Sequence, residues 1–143
     1  MLHIHVAYAE DHEVLRNAIT TLLQEKGFTV SAFANGKEMV EQLHCMETLP
    51  QLCIVNLNMP QMDGYATTRY IREHFTDIKV LVYSLSNYDM DIIHLLSAGA
   101  CSYLVKNGEI EELCEAIKMV YEKGVYLNEG VSKVVLNYLQ RIA

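Results

Sequence analysis

The sequence is poor in residues that interrupt regular structure and poor in positive charge. It has 2 Pro, 7 Gly and no Trp among 143 residues, whereas hydrophobic residues make up 51%. This balance excludes a disordered tail, a collagen-like repeat and a Pro-rich linker. Only 11 Lys and Arg stand against 18 Asp and Glu, which gives a formal net charge of -7. Because affinity for nucleic acid comes largely from neutralising phosphates, we expect no DNA or RNA binding by these residues themselves.

Long apolar runs and paired cysteine motifs are also missing. The longest apolar stretches, such as Leu52–Val55, are far shorter than the roughly 20 residues that cross a bilayer. No basic segment followed by an apolar run and a cleavage site marks a secretory signal. The 4 Cys are widely spaced without a C-x-x-C pair, which favours free thiols over disulfides or a zinc site. We therefore expect a cytoplasmic chain of one domain with a short appendage and no contact with membranes.

What the sequence does contain is a regular alternation of two hydrophobic periods. Short apolar runs alternate with segments whose apolar residues recur at steps of three and four, which predicts strands alternating with helices. The predicted strands are Ile4–Tyr8, Phe28–Phe33, Leu52–Val55, Val80–Tyr83 and Ser102–Val105. Strict alternation of this kind predicts a parallel sheet covered by helices on both faces. In such sheets, ligands bind at the carboxyl ends of the strands.

Polar side chains stand where four of the predicted strands end. Glu10 and Asp11 follow the first strand, Asn56 the third, Ser84 the fourth and Lys106 the fifth. Paired carboxylates suit a hard cation such as Mg²⁺, while a hydroxyl and an ammonium suit a phosphoryl group. Each residue alone has a plainer explanation, and Asp11 by itself is typical of a helix N-cap. Because the four strand ends converge, we expect these residues to form one site.

At these positions the chain resembles the receiver domain of two-component response regulators. The segments Gly124–Leu127 and Glu10–His12 are similar to those of the LuxR/NarL-type branch. The resemblance rests on four segments that stand in the family's order, Ala9–His12, Asn56–Gly64, Ser84 and Gly99–Lys106. It covers about residues 2–123. It implies an α/β, flavodoxin-like (βα)5 fold, a doubly wound parallel sheet with strand order 2-1-3-4-5.

The resemblance also implies a switch that responds to a bound phosphoryl group. Ser84 corresponds to the hydroxyl that binds a phosphoryl oxygen, and Lys106 corresponds to its charge partner. Tyr103 corresponds to the aromatic residue that rotates inward when the site is occupied. Asn107 stands where the family usually has Pro, so the usual cis peptide after Lys106 is open to question.

The metal site and the phosphoacceptor are implied in the same way, with one departure. Glu10, Asp11 and the backbone carbonyl of Asn58 correspond to the ligands of Mg²⁺. The family's phosphoacceptor is an aspartate, whereas this chain has Asn56. An amide oxygen is a far weaker nucleophile than a carboxylate, so we expect Asn56 to abolish phosphorylation and to weaken Mg²⁺ binding. Receivers catalyse only their own phosphorylation and dephosphorylation, so we do not expect an enzyme.

Three explanations of Asn56 remain open. It is either the natural residue of an atypical receiver that signals through protein contacts or ligand binding, or an introduced substitution in a conventional, phosphorylatable receiver of a DNA-binding transcription regulator. In the third, another group takes the phosphoryl or deamidation restores the acid, although the bulky Leu57 opposes deamidation. A simpler structural role, a hydrogen bond within the strand-end loop, is compatible with the first two.

The end of the chain differs in pattern from the receiver-like part. We expect residues 1–124 to form the receiver, and residues 125–143 to form a linker and an amphipathic helix of about three turns. This helix either packs on its own domain or pairs with another copy or a partner. The resemblance implies a histidine kinase or another signalling protein as partner, and a homodimer through the fourth helix, fifth strand and fifth helix, or through the C-terminal helix. We expect the DNA-binding output domain of this branch to be absent, so that any contact with DNA belongs to that domain.

Overall fold

The structure, a computed structural model, describes residues 3–143. Strands and helices alternate in the predicted order and are followed by a sixth helix. The strands are β1 (His5–Ala9), β2 (Thr29–Phe33), β3 (Leu52–Val55), β4 (Lys79–Ser84) and β5 (Ser102–Val105). The helices are α1 (Glu13–Glu25), α2 (Gly36–Leu43), α3 (Gly64–His74), α4 (Asp89–Ser97), α5 (Ile110–Lys123) and α6 (Glu129–Ile142). Met1 and Leu2, which belong to the predicted receiver, lie outside the described residues.

All five strands pair in parallel, in the order β2-β1-β3-β4-β5. β1 lies between β2 and β3, where Val6 pairs with Val30 on one side and with Leu52 on the other. Every residue of β3 is buried, as expected for a strand with helices over both faces. The structure therefore confirms the predicted flavodoxin-like fold, with strand order 2-1-3-4-5 and an additional C-terminal helix.

Two hydrophobic layers hold the helices against the sheet. On one face, Met39 of α2, Ile71 of α3 and Leu95 of α4 pack against side chains of the central strands. On the other face, Leu23 of α1 and Ile117 of α5 do the same. Because β1 has β2 on one side and β3 on the other, the loops after β1 and β3 lead to opposite faces of the sheet. They leave a crevice at the carboxyl ends of these two strands.

The start of α1 differs from the simplest expectation for Asp11. The N-cap of α1 is His12, whose Nδ1 accepts a hydrogen bond from the backbone N–H of Leu15 at 3.2 Å. The interpretation of Asp11 as the N-cap is therefore wrong, because a cap must precede the first helical residue directly and Glu13 is that residue. This leaves the Asp11 side chain to face the crevice.

The segment after α5 is joined to the receiver-like part by main-chain and side-chain contacts. Tyr126 forms an isolated parallel bridge with Ser102, and the Ser102 hydroxyl donates to the carbonyl of Tyr126 at 2.6 Å. The helix α6 has 14 residues, about four turns rather than three. It lies against α4 and buries Val131 in the core, while Leu136 and Ile142 remain exposed. In the structure, α6 thus packs on its own domain.

The remaining expectations about chain geometry concern cysteines, one peptide bond and membrane spans. All four cysteines are free thiols. The peptide between Lys106 and Asn107 is trans, and no cis peptide occurs within residues 3–143. None of the helices described has both the length and the apolar character to cross a bilayer.

Candidate functional site at the carboxyl end of the sheet

The polar residues that follow four strands lie around one cavity of about 250 Å³ at the carboxyl end of the sheet. Its walls come from the ends of β1, β3 and β4, from the start of α1 and from the loop after β5. The lining residues are Glu10, Asp11, His12, Leu15, Asn56, Asn58, Ser84, Leu85 and Lys106. Tyr103 does not line this cavity. Its ring is fully buried in the core, next to the loop after β4.

Glu10 and Lys106 form a buried ion pair at the centre of the site. Their Oε1 and Nζ atoms are 2.5 Å apart, and Glu10 is only 1% exposed. The other carboxylate oxygen of Glu10 accepts the backbone N–H of His12, and Arg16 donates to the carbonyl of Glu10 at 2.8 Å. A buried charge is tolerated only when it is paired and hydrogen-bonded, and these contacts supply both conditions. Arg16 lies one turn into α1 and belongs to no motif that the sequence analysis identified.

Lys106 also approaches the neighbouring strand. Its ammonium lies 5.5 Å from the centre of the Tyr83 ring, within the range of a cation–π contact. Burial, and then the nearby Glu10 carboxylate, raise the pKa of the Tyr83 hydroxyl above its ordinary value. Tyr83 therefore stays neutral and adds no further negative charge to the site.

Asn56 lies between the acidic pair and the lysine and contacts both. Its Nδ2 is 3.3 Å from Glu10 Oε2, 3.3 Å from Asp11 Oδ1 and 2.9 Å from the carbonyl oxygen of Asn58. Its Oδ1 is 3.4 Å from Lys106 Nζ. The amide orientation follows from these partners, since the three acceptors require N–H groups and the ammonium requires an oxygen.

The backbone around Asn56 is equally constrained. A Cβ atom at Gly64 would lie 2.5 Å from the carbonyl oxygen of Asn56, so only glycine allows α3 to begin this close to the end of β3. The N–H of Gly64 donates to the carbonyl of Leu57 at 2.7 Å, which closes the loop. Asp63 caps α3 by accepting the N–H of Ala66. The Asp63-Gly64 pair thus positions the strand end that carries Asn56.

The oxygen atoms implied as Mg²⁺ ligands suit a hard cation in chemical type. However, the N–H₂ group of Asn56 donates hydrogen bonds to all three of these oxygens, from Glu10, Asp11 and the carbonyl of Asn58. Within residues 3–143, no three His, Cys, Asp or Glu side chains gather in a metal-binding arrangement. A cation between these oxygens would require the amide of Asn56 to turn away and its N–H groups to lose their acceptors. In this structure the amide of Asn56 therefore occupies the acceptor oxygens that such a cation would use.

Ser84 and Tyr103 are connected through the loop after β4. The hydroxyl of Ser84 accepts the backbone N–H of Ser86 at 3.2 Å, and the hydroxyl of Tyr103 donates to the carbonyl of Ser86 at 2.9 Å. Sequence reasoning missed Ser86. A hydroxyl two residues after Ser84 was the available signal, but its partners come from β5 and α4 and depend on tertiary structure.

A model of the response regulator receiver domain matches residues 6–118, which is most of the chain. The chain belongs to the response regulator receiver family. The resemblance seen in the sequence is thereby confirmed for this receiver.

Individual relatives are similar along most of the receiver's length. This chain is 29% identical over 144 residues to the transcriptional regulatory protein DegU of Brevibacillus brevis, covering 97% of this chain and 59% of that protein. It is 30% identical over 128 residues to the nitrate/nitrite response regulator protein NarL of Escherichia coli K12, covering 88% of this chain and 58% of NarL. The chain thus spans about three-fifths of the length of these relatives.

Solved structures share the fold. A two-component response regulator of the LuxR family from Aurantimonas aligns with a TM-score of 0.86 at 21% identity, over 99% of this chain and 100% of that one. The response regulator TrrA of Thermotoga maritima, solved in complex with Mg²⁺ and BeF, aligns with a TM-score of 0.74 at 22% identity, over 82% and 98% of the two chains. At these identities the comparison supports the architecture.

Proposed function

We propose that this receiver signals through protein contacts and accepts no phosphoryl group at position 56. Phosphorylation of a receiver requires a carboxylate oxygen to attack phosphorus while the donor's bond to phosphorus breaks. The corresponding oxygen of Asn56 is an uncharged amide oxygen that faces the ammonium of Lys106. It has neither the charge nor the nucleophilicity for that attack.

One observation carries this proposal, namely that the Asn56 amide is hydrogen-bonded on both sides. Its nitrogen lies within 3.3 Å of three oxygens, and its oxygen faces Lys106 at 3.4 Å. Electrostatically, the N–H₂ group offers these oxygens the positive charge that a cation would otherwise supply. We therefore propose that the site holds its geometry without Mg²⁺ and binds the ion weakly, because binding must first displace the amide.

The residue roles and the partners are part of the same proposal. Glu10 and Lys106 support the site, Asp11 and Asn58 hold the Asn56 amide, and Ser84 and Tyr103 form the switch. The partner is a histidine kinase or another signalling protein, and the name of the transcriptional regulatory protein DegU supports a place in the regulation of transcription. We assign residues 1–124 to the receiver and 125–143 to the linker and helix.

The experiment incubates the chain with acetyl phosphate and Mg²⁺ and measures its intact mass. We expect no adduct, whereas Asn56→Asp is expected to gain the mass of one phosphoryl group in a base-labile form. Asn58→Asp is the matched control, because it adds the same charge two residues away and is expected to remain unmodified. A base-labile phosphoryl adduct on the unaltered chain would refute the proposal.

A second candidate is a conventional, phosphorylatable receiver in which Asn56 is an introduced substitution. The observation in its favour is that Glu10, Asp11, Ser84 and Lys106 already line one cavity. Only the nucleophile is then missing. The codon for residue 56 in the natural gene decides between the two candidates, because an aspartate codon supports the second and an asparagine codon the first.

A further inference from the structure

The loop between β4 and α4, residues 85–88, is organised around Ser86. The N–H of Ser86 donates to the hydroxyl of Ser84 at 3.2 Å, and its carbonyl accepts the hydroxyl of Tyr103 at 2.9 Å. Its own hydroxyl donates to Asp91 Oδ2 at 2.5 Å and accepts the N–H of Tyr88 at 3.4 Å. A single residue therefore connects both switch side chains to the first turn of α4.

The start of α4 depends on this arrangement. Tyr88 is the N-cap of α4 and has no side-chain capping bond, while Asp91 stands at the third helical position. In a capping box, the acid at this position reaches back to the N–H of the N-cap residue. Here the hydroxyl of Ser86 lies between them, since it receives the N–H of Tyr88 and donates to Asp91. Displacement of Ser86 would therefore remove two hydrogen bonds at the start of α4, those with Tyr88 and Asp91.

Tyr103 is the second partner that depends on Ser86. Its ring is fully buried, and burial raises the pKa of its hydroxyl, although the side-chain hydroxyls of Ser86 and Ser84 act in the opposite direction. A buried hydroxyl without an acceptor is costly, and the carbonyl of Ser86 is the acceptor that it has. If Ser86 moved, Tyr103 would lose the bond that stabilises its inward position.

We propose that Asp91 is a positioning residue which, through Ser86, holds Tyr103 inward and the Ser84 hydroxyl engaged in the absence of a phosphoryl group. This inference rests on the proposed function, since a receiver that accepts no phosphoryl group needs another way to set its switch. The contacts of Ser86 provide it within the chain. The switch of this receiver is thereby set by the β4–α4 loop.

The test measures the exposure of Tyr103 in five forms of the full chain, namely the unaltered chain, Asp91→Ala, Ser86→Ala, Ser86→Thr and Asp89→Ala. The chain is labelled with fluorotyrosine, Tyr103→Phe assigns the resonance, and a soluble paramagnetic agent reports solvent access by ¹⁹F NMR, without acetyl phosphate or Mg²⁺. In Asp91→Ala and Ser86→Ala we expect a several-fold rise in the broadening of the Tyr103 resonance. Asp89→Ala is the matched control, because Asp89 is also a first-turn acid of α4 and makes no bond to Ser86.

Each outcome bears on the proposal. Exposure of Tyr103 in Asp91→Ala and Ser86→Ala, with shielding kept in Asp89→Ala and restored by Ser86→Thr, supports it. A shielded Tyr103 in both variants overturns it. So does equal exposure in Asp89→Ala, which would indicate general loosening of α4. If the unaltered chain forms a phosphoryl adduct in the mass experiment, the proposed function fails, while the NMR result still decides whether Asp91 positions Tyr103.

Discussion

The cavity at the carboxyl end of the sheet and the face shared by α4 and α6 are stabilised in different ways. In the cavity, Glu10, Asn56 and Lys106 are held by hydrogen bonds and an ion pair that depend on single atoms. Between α4 and α6, side chains that are mainly apolar surround a groove of about 360 Å³. In the cavity, a single atom decides the chemistry, since the amide of Asn56 has a nitrogen where an aspartate would have an oxygen. Between α4 and α6, stability depends instead on the amount of apolar surface buried.

The largest expected effect follows from removal of the charge that faces Glu10. Lys106→Met leaves a carboxylate that is 1% exposed without its ion-pair partner, and we expect a loss of roughly 3–5 kcal/mol in the free energy of unfolding. Urea denaturation measures this loss. The double variant Glu10→Gln with Lys106→Met is expected to recover much of it, because neither charge remains. A single variant as stable as the unaltered chain would contradict the importance of the pair.

A smaller loss is expected when the amide of Asn56 becomes a carboxylate. Asn56→Asp removes the N–H donors that bond Glu10 and Asp11 and places a third carboxylate beside them. Because the three acids repel each other, we expect a loss of roughly 2–3 kcal/mol in the free energy of unfolding without Mg²⁺. Thermal melting with and without Mg²⁺ measures it. We expect the melting temperature to fall without the ion and to rise when it is added. An unchanged melting curve in both conditions would contradict the charge argument.

The smallest expected effect concerns the apolar face. Val131→Ala removes two methyl groups from a residue that is 3% exposed, and we expect a loss of roughly 1.5–2 kcal/mol in the free energy of unfolding. Leu136→Ala on the exposed side of α6, where Leu136 is 54% exposed, serves as the control and is expected to change stability by no more than about 0.5 kcal/mol. Urea denaturation compares the two variants. Equal losses would show that burial of Val131 does not hold α6 on its own domain.

Hydrophobic periodicity predicted the architecture well, because buried parallel strands require continuous apolar runs. β3 and β5 have the bounds that the sequence predicts, and the strand order is the implied one. The differences between the sequence reading and the structure lie at the ends of elements. Asp11 is not the N-cap of α1, since His12 takes that position, and α6 is one turn longer than expected. Helix ends depend on individual capping bonds, which periodicity does not describe.

The sequence by itself determined the fold class and the chemistry missing from the site, since apolar periods specify the layers and an amide at position 56 carries no nucleophile. Only the tertiary structure decided what the amide does instead. The amide nitrogen donates to three oxygens at the ends of β1 and β3, and the amide oxygen faces Lys106 at the end of β5. It also decided that Ser86 joins Ser84, Tyr103 and Asp91. Such contacts join residues that are far apart in the chain, so their distances arise only when the strands pair and the helices pack.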